Sequence, residues 1–170
     1  MGDTGVVSYN VLRPDNYLLI PMAMRILSQR DPVWAGENIG KTNIKIGRYG
    51  CTITCLSMLS DYFGCFKTPA WMGDNLRFTN QALLYWQSVS ERLCFNFARR
   101  YYGVNYPVID EALKNPKKAV ILEVEHYHWV LAIGKIPFTK IYRIADPWTG
   151  TKRLSTAYRY ISGFTTFEKN

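Results

Sequence analysis

The feature that most constrains the fold is a series of apolar runs in the last third of the chain. Three of them have the length of a β-strand: KAVILEVE (118–125), HWVLAIGKI (128–136) and KIYRIADP (140–147). Apolar runs of this length, separated by short polar connections, are typical of paired antiparallel strands. Weaker strand patterns follow at 151–154 and 160–167. The C-terminal part therefore predicts an antiparallel sheet.

The chain before these runs predicts helices. The segment CTITCLSMLSDYFG begins at Cys51, has apolar residues at helical spacing and ends at Gly64, a residue suited to a helix C-terminus. Two more helices are expected over Thr79–Leu93 and Val108–Lys114. Because the helices come first and the strands second, the sequence predicts an α+β fold rather than a doubly wound one.

Length and composition predict one domain over residues 1–170. A chain of 170 residues with 48% hydrophobic content can bury one core, and it shows no internal repeat. Residues 1–20 are expected to form an extended lead-in, followed by a short strand or helix near Leu18–Leu27. The stretch Ser28–Tyr49 is predicted to be a long connection, and such loops are usually functional or mobile.

Charge and cysteine content limit the classes of partner and compartment. The net charge of +8 favours anionic partners, but the basic residues are scattered and match no nucleic-acid-binding motif, so no obligate nucleic acid is expected. No apolar run is long enough for a membrane span, and we expect neither a span nor a secretory signal. Four cysteines are too few for a disulfide scaffold, so we expect reduced thiols in the cytoplasm.

Three residues have the chemistry of a nucleophilic site. Cys51 is expected at the start of a helix, where backbone N–H groups and the positive dipole end stabilise a thiolate. His128 begins one predicted strand and Asp146 ends the next, so antiparallel pairing would bring them to one edge of the sheet. Each residue alone also fits a structural role, as a core cysteine, a strand histidine or a turn-capping aspartate.

The runs RYGCTITCLSMLSDYFG, ILEVEHYHWVLAIG and YRIADPWTG resemble the papain-like cysteine peptidase superfamily, in the branch related to bacterial double-glycine leader peptidases. The resemblance implies a papain-like fold in which a nucleophile helix packs on an antiparallel sheet. It implies Cys51 as nucleophile, His128 as its base and Asp146 as the residue that orients the histidine. It further implies that Gln29 stabilises the oxyanion together with the backbone N–H of Cys51.

The implied reaction is cleavage of a peptide, isopeptide or related amide bond through a thioester, without a cofactor. The partner would be a peptide or protein substrate, in the cytoplasm of a bacterial or phage-infected cell. Trp34, Tyr49 and Trp148 are candidates for the walls of the substrate cleft. The segment Phe95–Pro107, which carries three tyrosines, is expected to contribute to specificity.

Three alternatives stay open. The fold could serve as a binding or assembly module without turnover. The substrate could be the peptide part of a bacterial cell wall, whose anionic polymers the positive charge would attract. A metal could bind His126 and His128, which are two positions apart and would share one face of a strand, but further ligands are not evident, so no metal is expected.

Overall fold

The structure is a computed structural model that describes residues 24–170. The predicted lead-in over residues 1–20 lies outside this range. Most of the element predicted near Leu18–Leu27 also lies outside it, and residues 24–27, its described end, are neither helix nor strand. The described chain has an α+β fold with one six-stranded antiparallel sheet.

Five α-helices and six strands are found within residues 24–170. In chain order they are α1 (Ile46–Tyr49), α2 (Cys51–Tyr62), α3 (Pro69–Asn75), α4 (Gln87–Arg92), β1 (Phe95–Tyr101), α5 (Tyr106–Lys114), β2 (Lys118–Val124), β3 (His128–Lys135), β4 (Tyr142–Asp146), β5 (Thr151–Leu154) and β6 (Ile161–Lys169). A 3-10 turn, Ser155–Ala157, follows β5. The strand order is β1-β6-β2-β3-β4-β5, and each neighbouring pair is antiparallel.

The five predicted strands are confirmed as β2 to β6, whereas β1 was not predicted. β2 and β3 are easy to recognise because helices cover both faces of the sheet there, so nearly every side chain is buried. β1 pairs only with β6 and lies at an edge of the sheet. Its register shifts between Phe97 and Arg99, and most of its side chains are partly or fully exposed. An edge strand of this kind leaves no alternating apolar pattern.

The predicted helix that begins at Cys51 is confirmed as α2, and Gly64 follows it with a φ of 88°. The helix predicted over Thr79–Leu93 is wrong in its first half, because only α4 is helical there. The Thr79 hydroxyl accepts hydrogen bonds from the backbone N–H groups of Gln81 and Leu83. This local turn competes with helix formation.

Two apolar clusters cover the two faces of the sheet. α2, α3 and α4 pack on one face, against residues such as Ile121 and Leu131. α5 packs on the other face, against residues such as Val120 and Val130. Adjacent residues of one strand therefore belong to opposite clusters, as the pleat of a strand requires. The clusters fix α2 against the sheet that carries the remaining site residues.

The prediction of reduced thiols is wrong for two of the four cysteines. Cys65, after α2, and Cys94, before β1, form a disulfide with their Cα atoms 6.3 Å apart. They are 29 positions apart in the chain, and only the fold brings the end of α2 to the start of β1, where Phe63 contacts Phe95, so their spacing held no signal. Cys51 and Cys55 are free. The disulfide removes the argument from reduced thiols on which the expected cytoplasmic location depended.

Within residues 24–170, no helix combines the length and the apolar character needed to cross a membrane.

Candidate active site

Cys51 is the first residue of α2, and the local backbone fixes where that helix begins. Gly50 separates α1 from α2, and its N–H donates to the carbonyl of Ile46 over 2.7 Å. A Cβ at Gly50 would lie 2.6 Å from both the Ile46 oxygen and the Ile46 Cγ2 atom, so only glycine fits. Backbone N–H groups in the first turn of a helix have no acceptor within the helix. The Cys51 thiol therefore lies beside free donors.

His128 and Asp146 are brought together by the pairing of β3 with β4. His128 Nε2 and Asp146 Oδ1 are 2.9 Å apart, which is the proximity that antiparallel pairing predicted. Burial favours the neutral imidazole, but the hydrogen bond with Asp146 and the interaction with the Cys51 thiol outweigh it and raise the pKa of His128 to about 9. His128 is thus hydrogen-bonded to Asp146 and is influenced by the Cys51 thiol.

The Asp146 carboxylate is fully buried and accepts four hydrogen bonds. Oδ1 accepts from His128 and from the backbone N–H of Trp148, both over 2.9 Å. Oδ2 accepts from Tyr158 Oη over 2.6 Å and from Arg153 Nη1 over 3.1 Å. Burial alone would raise the pKa of Asp146, but the hydrogen bonds, led by that of His128, lower it to about 2. Asp146 is therefore an anion at neutral pH.

The bond to Asp146 decides which ring nitrogen can serve Cys51. A carboxylate can only accept, so Nε2 of His128 must donate to it. The remaining nitrogen, Nδ1, is then the one that can exchange a proton with the Cys51 thiol. A thiol near a ring nitrogen that can take up its proton is the arrangement that nucleophilic catalysis requires.

Gln29 lies next to the end of β4. Its backbone N–H donates to the carbonyl of Pro147 over 2.8 Å, so the connection that begins at Ser28 folds back against the site. The side chain is 1% exposed, and Nε2 donates to the Gly47 carbonyl over 3.3 Å. Its Oε1 has no hydrogen-bond partner among residues 24–170. One of the two N–H donors of the amide is used in this bond.

A cleft of about 580 Å³ opens beside Cys51. One side is formed by residues 78–86, here termed the cleft wall, through Phe78, Gln81, Ala82, Leu83, Leu84 and Trp86. The rest of the lining includes Arg100, Tyr102, Glu123, Tyr127 and Trp129. Most of these side chains are apolar or aromatic. The cleft therefore suits an extended segment with apolar side chains.

One ion pair organises the part of the lining outside the cleft wall. Arg100 Nη2 and Glu123 Oε2 are 2.6 Å apart, and both side chains are largely buried. The Arg100 guanidinium lies 4.6 Å from the ring centroid of Trp129 and 4.7 Å from that of Tyr102. These contacts are cation–π interactions. Arg100 thus holds two aromatic rings in place and is itself held by Glu123.

The three predicted cleft residues lie in different surroundings. Tyr49 is 56% exposed and lines the cleft, as expected. Trp34 does not line it: the ring is buried in the core, where Nε1 donates to the Ser28 carbonyl over 2.8 Å. Trp148 also lies outside the lining, with the guanidinium of Arg30 4.8 Å from its ring centroid. The predicted segment Phe95–Pro107 does contribute, through Arg100 and Tyr102.

Sequence reasoning missed Tyr158, Arg153 and most of the cleft wall. Tyr158 and Arg153 lie beyond β4 in a polar stretch with no distinctive spacing. The cleft wall was predicted to be helical. A weak signal for the cleft as a whole was available in Trp86 and Trp129, since tryptophan side chains commonly line binding sites.

The geometry does not favour the metal alternative. His126 lies in the turn between β2 and β3 with a φ of 63°, so it is not on the same strand face as His128. His128 already uses Nε2 for Asp146. In the part of the chain that the structure describes, no group of three or more His, Cys, Asp or Glu side chains could hold a metal ion.

Comparisons with known proteins add nothing to this geometry. No protein-family model matches the chain, and searches of curated proteins and of solved structures find no match either. The functional argument therefore depends on the described residues themselves.

Proposed function

We propose that this chain is a papain-like cysteine hydrolase that cleaves a peptide, isopeptide or related amide bond. The observation that carries the proposal is that His128 is hydrogen-bonded to the buried Asp146 and influenced by Cys51, which lines an apolar cleft. A nucleophile, a base in contact with it and a third group that orients the base are the parts that acyl transfer requires.

The papain-like arrangement is part of the same proposal. α2, the nucleophile helix, packs on the strand that carries His128, and Cys55 Sγ donates to the carbonyl of Trp129 over 3.5 Å. Asp146 then ends the neighbouring strand β4. A nucleophile helix on an antiparallel sheet that presents a histidine and an aspartate is the arrangement that the sequence resemblance implies.

In the proposed reaction, His128 Nδ1 takes the proton of the Cys51 thiol, and the sulfur attacks the carbonyl carbon of the amide. The backbone N–H of Cys51, assisted by the amide of Gln29, stabilises the oxyanion. His128 returns the proton to the leaving amine, which separates and leaves a thioester on Cys51. Water, deprotonated by His128, attacks the thioester and releases a carboxylic acid and the free thiol. Asp146 keeps the imidazole in one tautomer throughout.

We propose that the partner is a peptide or protein with an apolar stretch next to the cleaved bond. The cleft starts at Cys51 and is lined by Leu84, Trp86 and Trp129, among others. Burying each apolar side chain of a substrate there contributes about 1.5–3 kcal/mol. Such a cleft gives a cell-wall peptide, with its many polar groups, no particular advantage.

Thiol labelling and a pair of matched cysteine variants test the proposal. Iodoacetamide labelling followed by mass spectrometry should modify Cys51 more than about tenfold faster than Cys55, the other free thiol. The comparison is internal, because burial and the nearby Cys51 and Asp146 charges raise the pKa of Cys55. A proteome-derived peptide library should be cleaved by the wild type and by Cys55→Ala, but not by Cys51→Ala.

Two results would contradict the proposal. Full hydrolysis by Cys51→Ala would show that another group is the nucleophile. Labelling of Cys51 no faster than of Cys55, together with an uncleaved library, would favour the binding module without turnover.

A further inference from the structure

The Asp146 carboxylate is more firmly held than the orientation of His128 alone requires. A carboxylate offers about four lone-pair sites, and four donors occupy them: His128, the Trp148 N–H, Arg153 and Tyr158. The first two bind Oδ1, on the side of the imidazole. The other two bind Oδ2, and neither has a role in the acyl transfer described above.

The two donors to Oδ2 differ in their geometry. The Arg153 side chain is 37% exposed, and its bond to Asp146 is 3.1 Å long. The bond from Tyr158 Oη is 2.6 Å long, in the range of strong bonds from a hydroxyl to a carboxylate. The Tyr158 ring also lies against the His128 ring, with the centroids 5.5 Å apart and the planes tilted by 42°. Tyr158 thus contacts both Asp146 and His128.

The segment that carries Tyr158 is itself fixed to β4. The Tyr158 N–H donates to the Ser155 carbonyl over 3.1 Å, which closes the 3-10 turn. The Ser155 hydroxyl accepts from the Tyr142 N–H over 3.0 Å. Tyr142 begins the strand that Asp146 ends. Hydrogen bonds therefore connect the backbone that carries Tyr158 to the strand that carries Asp146.

We propose that Tyr158 is a positioning residue of the reaction, which fixes the Asp146 carboxylate through its hydroxyl and the His128 imidazole through its ring. The inference rests on the proposed function in one respect, namely that His128 acts on Cys51. Without the hydroxyl, the carboxylate can rotate and Oδ1 can move away from Nε2. Without the ring, water reaches the bond between His128 and Asp146 and weakens it.

An NMR titration tests this role without any turnover. The full chain carrying Cys51→Ala is compared with the same chain carrying Tyr158→Phe in addition, and the pKa of the His128 ring is measured in each. The chain contains only two histidines, so the exposed His126 supplies the second resonance in the same spectrum. Tyr158→Phe keeps the ring and removes only the hydroxyl. We expect the His128 pKa to fall by about one unit, because its bond to Asp146 weakens.

A kinetic measurement completes the test. With the best-cleaved library peptide, Tyr158→Phe should lower kcat about tenfold and leave KM within about twofold. Tyr160→Phe is the matched control, because Tyr160 lies two positions away and packs against His126 rather than His128. Circular dichroism shows whether each variant is folded.

The outcomes separate the two proposals. A His128 pKa that is unchanged or raised in folded Tyr158→Phe would overturn the positioning role, whatever the activity. A lowered pKa in a chain that cleaves nothing would support the positioning of His128 and count against the hydrolase. Tyr158→Leu, which removes ring and hydroxyl together, should lower the pKa further.

Discussion

Cys51 lies between two regions that are built in different ways. On one side, His128 and Asp146 are on paired strands, and hydrogen bonds fill every acceptor site of the carboxylate. On the other side, the cleft wall is an irregular loop whose side chains are mostly apolar, with a single bridge between Phe78 and Leu84. Rigid geometry suits the groups that we propose to react, whereas a loop can vary without disturbing them. Damage to the first region should lower kcat, and damage to the second should raise KM.

The disulfide accounts for how an irregular loop keeps its place. Cys65 and Cys94 enclose α3, the cleft wall and α4, so the bond ties both ends of this segment to the rest of the fold. Cys51, His128 and Asp146 all lie outside the enclosed segment. The bond therefore acts on one of the two regions only.

Removal of the disulfide should have the largest effect, and it should affect the cleft wall but not the polar region around His128. For a closed loop of about 30 residues, we expect Cys65→Ser/Cys94→Ser to lower the free energy of unfolding by about 3–4 kcal/mol. KM should rise several-fold, because the cleft wall loses its anchor, while kcat stays within about twofold. Chemical denaturation and steady-state kinetics measure the two effects.

The wild type treated with a thiol reductant is the control for this pair of substitutions. It should show the same loss of stability, and the double variant should not respond. A fall in kcat with unchanged KM would mean that the disulfide supports the polar region instead.

The pH dependence of stability should sharpen the description of the polar region. The pKa of His128 is about 9 in the folded chain and about 6.5 when unfolded, so the fold binds this proton more tightly. The resulting stabilisation is complete below pH 6.5 and is lost as the pH rises through 9. Relative to His128→Gln, the wild type should lose roughly 3 kcal/mol of unfolding free energy over this range.

Urea denaturation at a series of pH values measures this difference. His126→Gln is the matched control, since that side chain lies in an exposed turn. If the unfolding free energies of the wild type and of His128→Gln depend on pH in the same way, the groups around His128 do not raise its pKa in the fold.

The smallest effect is expected from a single side chain of the cleft wall. Leu84→Ala removes part of the apolar lining and should raise KM about three- to tenfold with kcat unchanged, since a lost apolar contact is worth about 1 kcal/mol or more. Leu154→Ala is the control, because that leucine is exposed on β5, outside the cleft. A lower kcat for Leu84→Ala would show that the two regions are coupled.

The parts of the fold that sequence could predict are those where burial leaves a strong pattern. β2 and β3 are covered on both faces, so they appear as unbroken apolar runs, and the order of β3 and β4 was enough to expect His128 near Asp146. β1 has neighbours on one side only and a shift in register, so its pattern is weak.

Other features depend on where distant segments meet. The partner of Cys65 and the role of Tyr158 are set by the path of the backbone after α2 and after β5. Trp34 shows the opposite error: an aromatic residue near a predicted site was assigned to the cleft, although its indole N–H is satisfied in the core. Composition near a motif does not distinguish these two positions.

The Cys65–Cys94 bond also affects how any activity of this chain would be measured. Cysteine hydrolases are assayed with a reductant because the nucleophile must stay a thiol. Here the reductant would have two opposite effects. It keeps Cys51 a free thiol, and it breaks the Cys65–Cys94 disulfide that anchors the cleft wall. At a substrate concentration below KM, the rate would then rise and fall again as the reductant concentration increases. The optimum would be the concentration at which Cys51 is reduced and the Cys65–Cys94 bond is intact.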